Sequence, residues 1–153
     1  MNVIPCIVYG EDAKVNPMYL YYKPRWNEFN PMTHNSTFAS TIHIGDPLLI
    51  DRVVYSFKNL NGIVEEATKE EFMDAAALEN LKCMFICPRN GVALVTLTNI
   101  KSKGIIGLND KTFIVSTPHG MNFTQSNIDY HSKVIHDMKC EYSNPHFPSS
   151  IRA

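Results

Sequence analysis

The chain has 153 residues and a formal net charge of −1, with 44% hydrophobic and 19% charged residues. This length and hydrophobic content predict a single globular domain over residues 1–153 and exclude the intrinsically disordered class, which combines low hydrophobicity with high net charge. A net charge so close to zero gives no overall field that would attract nucleic acid or an acidic membrane surface.

Short extended segments are predicted in the first third of the chain. Residues 3–9 and 18–23 are rich in β-branched or aromatic side chains, which favour strands. Pro5 confines the first of these strands to a sheet edge or to its own start. Residues 37–44 alternate between apolar and polar side chains, a pattern typical of a half-buried strand.

Two helices are predicted in the middle of the chain. Residues 46–60 carry an apolar stripe at helical spacing, with Asp46 as a suitable N-cap and Asn61-Gly62 as the stop. The β-branched residues at 53–55 favour a strand as the alternative. Residues 68–81 form the clearest element of the sequence, because Thr68 and Glu71 have the spacing of a capping box. One side of this second helix is mainly apolar and is expected to face the core.

The last third of the chain predicts two hairpins and a closing helix. An Asn-Gly dipeptide between apolar runs is a strong hairpin signal, and an Asn-Asp pair suggests a second turn. The expected strands are residues 82–88 with 92–100 and residues 104–108 with 112–117, followed by a helix over residues 126–140.

This order of elements predicts an α+β fold. We expect a mainly antiparallel sheet of about six strands, with two or three helices packed on it. No alternation of strand and helix indicates a doubly wound parallel sheet.

The cysteine spacing gives no sign of a metal site. Cys83 and Cys87 are separated by three residues on a predicted strand, where they share a face but lie too far apart to chelate or bridge. Cys6 and Cys140 are isolated, and the histidines show no ligand spacing. We therefore expect reduced thiols, no metal and no cofactor.

Two similar segments suggest a pair of catalytic histidines. Each reads Ser-Thr-x-His, which brings Thr41 beside His43 and Thr117 beside His119. Thr and His two residues apart on a strand face the same side. Two such strands at one cleft would place an acid and a base around a phosphate, as in a metal-independent phosphoesterase or nuclease. The alternative is two unrelated histidines at strand ends, because motifs this short often match by chance.

An aromatic and basic cluster suggests a binding surface. Tyr19, Tyr21 and Trp26 alternate with cations such as Arg25. Tyr, Trp and Arg are the usual anchors of protein interfaces, and exposed aromatics beside cations also stack on nucleotides. The same side chains are equally suited to the edge of a core.

The sequence contains no glycine-rich phosphate loop, nucleophile elbow or zinc-protease motif, so the enzyme class is left open but is not favoured. We expect a small binding protein that docks to a protein partner or to itself. The alternatives are the phosphoesterase and a protein that binds a nucleotide or small ligand.

The expected compartment is the cytoplasm. The apolar runs are too short to span a membrane, and the first residues lack the basic leader of a signal peptide. Frequent Asn, Ile, Lys, Tyr and Met are typical of AT-rich genomes, which suggests a viral or phage protein in a host cytoplasm. No membrane partner is expected.

Overall fold

The computed structural model describes residues 6–33, 39, 44–116, 118–135 and 137–143. The elements follow one another along the chain as strand, two helices, strand, and then further helices. Their bounds are β1 Val8–Asp12, α1 Pro17–Tyr22, α2 Ile50–Asn59, β2 Ile63–Ala67, α3 Lys69–Leu81, α4 Pro88–Ser102, a 3-10 helix Gly120–Phe123 and α5 Thr124–His131.

A parallel pair of strands organises these helices. Strand β1 pairs with β2 from Val8 opposite Ile63 to Asp12 opposite Ala67. Parallel neighbours need a long crossover connection, and here it contains α1 and α2. The carboxyl ends of both strands therefore lie at the same edge of the sheet.

The two faces of the strand pair bury separate apolar clusters. On one face Val64 packs with Met18 of α1 and Phe57 of α2. On the other face the cluster joins Ala67 to side chains from α3, α4, α5 and the segment after α5, namely Phe72, Met73, Ala77, Val92, Val95, Tyr130, Ile135 and Cys140. Helices on both faces of a parallel pair are typical of α/β folds.

The prediction of a mainly antiparallel sheet of about six strands is wrong. The described residues hold one sheet of two parallel strands, so the α+β architecture is replaced by a strand–helix–strand unit with further helices. Strand β2 was not predicted, because its two glutamates obscure the apolar pattern. Residues 37–44 lie largely outside the described residues.

Several predicted strands are helices or irregular segments. Residues 18–23 fall mostly in α1, and the hairpin around Asn90-Gly91 is replaced by α4. Gly91 lies inside that helix and permits a close crossing with α3, so the dipeptide serves packing and forms no turn. The described part of the second predicted hairpin contains no strand. Cys87, which was predicted to lie on a strand, is the N-cap of α4.

The helix over residues 68–81 is confirmed. Thr68 is the N-cap of α3 and forms the reciprocal capping box with Glu71. Helix α2 begins at Ile50 and so starts later than Asp46, while α5 is shorter than the predicted closing helix.

None of the helices in the described ranges is both long enough and apolar enough to cross a membrane.

Candidate functional site

A crevice lies beyond the carboxyl ends of the two strands. It has a volume of about 320 Å³ and is lined by the turn after β1, the start of α3 and a stretch near the end of the described chain, namely Ala13, Lys14, Thr68, Lys69, Glu70, Asp137 and Met138. In open α/β sheets, ligands bind outside the carboxyl ends of the strands, so this position makes the crevice the candidate site.

Hydrogen bonds from two backbone N–H groups hold the turn after β1, which lines the crevice. The N–H of Ala13 donates to the carbonyl of Ala67 at 2.9 Å and so extends the pairing past the strand ends. The N–H of Lys14 donates to the carboxylate of Asp12, also at 2.9 Å. Asp12 is fully buried, whereas the side chain of Lys14 is exposed. Two hydrogen bonds therefore hold the turn in place, and the side chain of its lysine is exposed to solvent.

Charges of both signs line the crevice. The ammonium of Lys69 lies 3.0 and 3.3 Å from the two carboxylate oxygens of Asp137. This contact, first among several causes, holds the pKa of Asp137 below its usual value. Glu70 accepts a hydrogen bond from the backbone N–H of Lys139 at 3.3 Å. The lining thus presents two ammonium groups and two carboxylates.

The carboxylate of Glu11 lies on the sheet face that carries α1. Glu11 is only 4% exposed and accepts hydrogen bonds from the N–H groups of Met18 at 3.2 Å and Tyr19 at 2.7 Å. Burial raises the pKa of Glu11 to about 7, although these two N–H groups partly offset it; nearby Glu66 raises it slightly further. Both oxygens are committed to the start of α1, so Glu11 has a structural role.

The remaining carboxylates of β2 are also matched by polar partners. Glu66 accepts a hydrogen bond from the side-chain amide of Asn16, and Glu65 forms an ion pair with Lys103. No group of three or more His, Cys, Asp or Glu side chains in the described ranges has the arrangement of a metal site. The four cysteines are free.

The predicted histidine pair is not assembled by the described residues. Thr41, His43 and Thr117 lie outside them. His119 is exposed and precedes the 3-10 helix, where its Nδ1 accepts the N–H of Met121 at 3.2 Å. A site role for His119 stays a prediction.

The predicted aromatic surface is partly packed against the core. The ring of Trp26 lies 5.1 Å from Tyr21 and 6.2 Å from Phe57, measured between centroids, and is half-buried. Tyr19 also packs at this cluster, whereas Arg25 is exposed. Both Arg25 and Trp26 have positive φ, a conformation that is unusual outside glycine. Their role in binding a partner stays a prediction.

Sequence reasoning missed the crevice residues Lys14, Lys69 and Asp137. The available signal was position, because side chains just after two parallel strands meet at one edge. That signal depends on recognising β2, which the sequence pattern concealed.

No known protein-family model matches the chain. The chain is nevertheless 55% identical, over 151 residues, to the chloroplastic threonine synthase 2 of Arabidopsis thaliana. It resembles part of a threonine synthase. A second threonine synthase, from Methanocaldococcus jannaschii, is 24% identical over 106 residues, which are 69% of this chain.

The match covers almost all of this chain but only part of each relative. The alignment with the Arabidopsis threonine synthase spans 98% of this chain and 29% of that protein. The alignment with the Methanocaldococcus threonine synthase spans 26% of its length. The chain therefore spans less than a third of the length of the curated relatives it matches.

This similarity overturns the function that the sequence predicted. The prediction of a viral or phage docking protein is wrong, because the chain is 55% identical to part of a plant enzyme. The phosphoesterase and the nucleotide-binding alternatives are withdrawn with it. The compositional bias toward Asn, Ile and Lys was no guide to a viral source.

Proposed function

We propose that the chain is part of a threonine synthase and contributes to the formation of threonine. The observation that carries this proposal is 55% identity extending over 98% of the chain. Identity at this level and extent is not confined to one short motif. Because the alignments cover only 29% and 26% of the two relatives, the complete activity also requires the regions that this chain does not match.

The crevice at the strand ends suits the chemistry of an amino acid. Threonine carries a carboxylate and an ammonium group, and the lining offers Lys14 for the first and Glu70 for the second, beside the ion pair that Lys69 and Asp137 form with each other. Its volume of about 320 Å³ lies at the small end of the usual range for ligand sites. We propose that this crevice contributes to amino-acid binding in the complete enzyme.

The compartment is a separate part of the proposal. The Arabidopsis relative is named as chloroplastic, and this is a property of that protein. The cytoplasmic localisation expected from the sequence therefore stays a proposal for this chain, with the plastid as its alternative.

The experiment is a chimera that replaces the matching 151 residues of the Arabidopsis threonine synthase with this chain. The chimera is produced in a bacterial strain that lacks threonine synthase and needs threonine to grow. We expect growth without threonine. A matched chimera carrying Lys14→Ala tests the crevice, because this exposed lysine can be removed without disturbing the core.

The outcomes separate the parts of the proposal. Growth of the chimera together with slower growth of the Lys14→Ala variant supports both the function and the crevice. Equal growth of the two chimeras contradicts the role of the crevice. A folded chimera that supports growth only with added threonine contradicts the function.

A further inference from the structure

The segment after α5 lies along the first half of α3. We define the strap as residues 137–142, of which alternate residues bind polar side chains of that helix. The attachments are the Asp137 carboxylate to the Lys69 ammonium, the Lys139 N–H to the Glu70 carboxylate at 3.3 Å and the Glu141 N–H to the Asp74 carboxylate at 3.3 Å. The intervening residues pack toward the core, where Cys140 is only 2% exposed and Met138 and Tyr142 are partly buried. The strap is therefore bound to the domain on two sides.

A buried group of hydrogen bonds fixes the far end of the strap. The phenol of Tyr130, which is 1% exposed, donates to the Asp74 carboxylate and accepts the N–H of Tyr142 at 3.0 Å. The same carboxylate oxygen also accepts the N–H of Glu141. Buried polar groups that lose their partners destabilise a protein strongly, so the release of this end is unfavourable.

The crevice end of the strap is held less firmly. The Asp137 side chain is 65% exposed, and an ion pair that is so accessible to water contributes little to stability. Met138, the next residue, lines the crevice and is only partly buried. Cys140 lies between the two ends with a φ of 48°, a left-handed conformation that is unfavourable for a residue with a side chain. A firm end, a weak end and a strained residue between them are the features of a hinged segment.

We propose that the strap opens and closes the crevice at its Asp137 end, and that a bound amino acid holds it closed. The crevice is lined by Lys14 of the turn after β1, by Glu70 of α3 and by the strap. The ligand that this lining suits binds Lys14 through its carboxylate and Glu70 through its ammonium, and Met138 of the strap contacts its carbon chain. Because such a ligand touches both walls, it binds the closed form more tightly and shifts the population toward that form. The identity of the ligand rests on the proposed function.

The test is the rate at which the Cys140 thiol reacts with N-ethylmaleimide, followed by peptide mass spectrometry. Cys140 becomes accessible when the strap lifts, whereas Cys87, fully buried at the start of α4, becomes accessible when the domain unfolds. The exposed thiols are first removed by Cys6→Ser and Cys83→Ser. We expect Cys140 to react at least about tenfold faster than Cys87, because local opening requires less free energy than global unfolding. Equal rates would overturn the opening of the strap.

Two matched lysine variants test which end of the strap opens. Lys69→Met breaks the ion pair at the crevice end of the strap, whereas Lys82→Met breaks an exposed ion pair at the other end of α3. We expect Lys69→Met to speed the reaction of Cys140 by about two- to fivefold, the range that an exposed ion pair allows. Lys82→Met should leave this rate unchanged, because its ion pair stays intact when the strap lifts. A Cys140 rate that Lys69→Met does not change, or that both variants raise equally, would overturn opening at the crevice end.

The chimera with the Arabidopsis threonine synthase tests the ligand, with L-threonine as the probe. We expect saturating threonine to slow the reaction of Cys140 by at least about fivefold, because the bound form must release its ligand before the strap lifts. The matched control is the chimera that carries Lys14→Ala, in which threonine should have little effect. Equal slowing in the two chimeras would overturn the binding of the ligand between Lys14 and the strap.

The opening of the strap, its ligand and the proposed function fail separately. Equal rates at Cys140 and Cys87 contradict the opening, whether or not the chimera supports growth. A chimera that supports growth, but in which threonine leaves the Cys140 rate unchanged, contradicts the ligand while the function stands. A folded chimera in which threonine slows the reaction, but which does not grow without added threonine, contradicts the function while the strap proposal stands.

Discussion

Gly91 of α4 lies directly against the backbone of Phe72 in α3. A Cβ added to Gly91 would stand 2.1 Å from the carbonyl oxygen of Phe72, far inside van der Waals contact. Phe72 is fully buried, and Val92 beside the glycine is almost so. The glycine thus allows the two helices to pack backbone to backbone.

Gly91→Ala is expected to destabilise the chain by roughly 1–3 kcal/mol, because neither backbone can move freely away from the added methyl group. Urea denaturation measures this loss. The control is Gly107→Ala, where the nearest atom to the new Cβ is a flexible Asp110 side-chain oxygen 3.4 Å away. Gly107→Ala should change the free energy of unfolding by less than about 0.5 kcal/mol. Equal effects would show that the helix crossing is looser than described.

The sequence predicts elements correctly where local signals agree with the fold. Helix α3 is such a case, because its capping box acts within four residues of chain. The segment at Gly91 is the opposite case. An Asn-Gly pair between apolar runs predicts a turn, but packing against Phe72 requires a glycine inside a helix. No local pattern distinguishes these two uses of glycine.

The start of α1 illustrates why tertiary context was needed. Residues 18–23 are rich in tyrosine, which favours strands. They nevertheless form a helix, and the carboxylate of Glu11 stabilises its start by accepting hydrogen bonds from two of its N–H groups. Pro17 at the first turn also favours a helix. The candidate crevice could not be predicted, since it depends on the pairing of β1 with β2.

Thr68→Ala is expected to cost about 1 kcal/mol of stability. The Thr68 hydroxyl accepts the N–H of Glu71, and the Glu71 carboxylate accepts the N–H of Thr68 at 2.8 Å. Thermal or urea denaturation tests this. Thr98→Ala is a matched control, because the Thr98 hydroxyl donates only to the Leu94 carbonyl within α4 and caps nothing. A loss for Thr98→Ala as large as for Thr68→Ala would argue against the cap.

The stability of the chain is expected to fall between about pH 4.5 and pH 7 because of Glu11. Burial is the main cause that raises its pKa from 4.5 to about 7, so in this window the folded chain holds a proton that the unfolded chain has released. The resulting stabilisation is complete below pH 4.5 and is lost as the pH rises through 7.

Glu11→Gln isolates this contribution. The difference in unfolding free energy between the native chain and the variant should fall by up to about 3 kcal/mol from pH 4.5 to pH 8. Burial lowers the pKa of His131, which has the opposite effect on stability, but this group is present in both proteins and cancels. A difference that does not vary with pH would exclude a raised pKa at Glu11.

Trp26→Ala is expected to destabilise the chain by roughly 3 kcal/mol, because the indole packs on Tyr21, Tyr22 and Phe57. Arg25→Ala should change stability by less than about 0.5 kcal/mol, since Arg25 is exposed. Arg25→Gly should stabilise the chain by about 1 kcal/mol, because glycine tolerates the φ of 60° at this position. Thermal melts of the three variants measure these effects. A small effect of Trp26→Ala would favour the predicted binding role instead.

Growth of the threonine-requiring strain with the chimera tests the central claim most directly. The rate without added threonine is compared with that of strains carrying the native Arabidopsis enzyme and the same enzyme lacking the 151 matched residues. We predict that the chimera restores growth close to that of the native enzyme, whereas the deletion does not. A folded chimera that, like the deletion, grows only when threonine is supplied would contradict the claim that this chain is part of a threonine synthase.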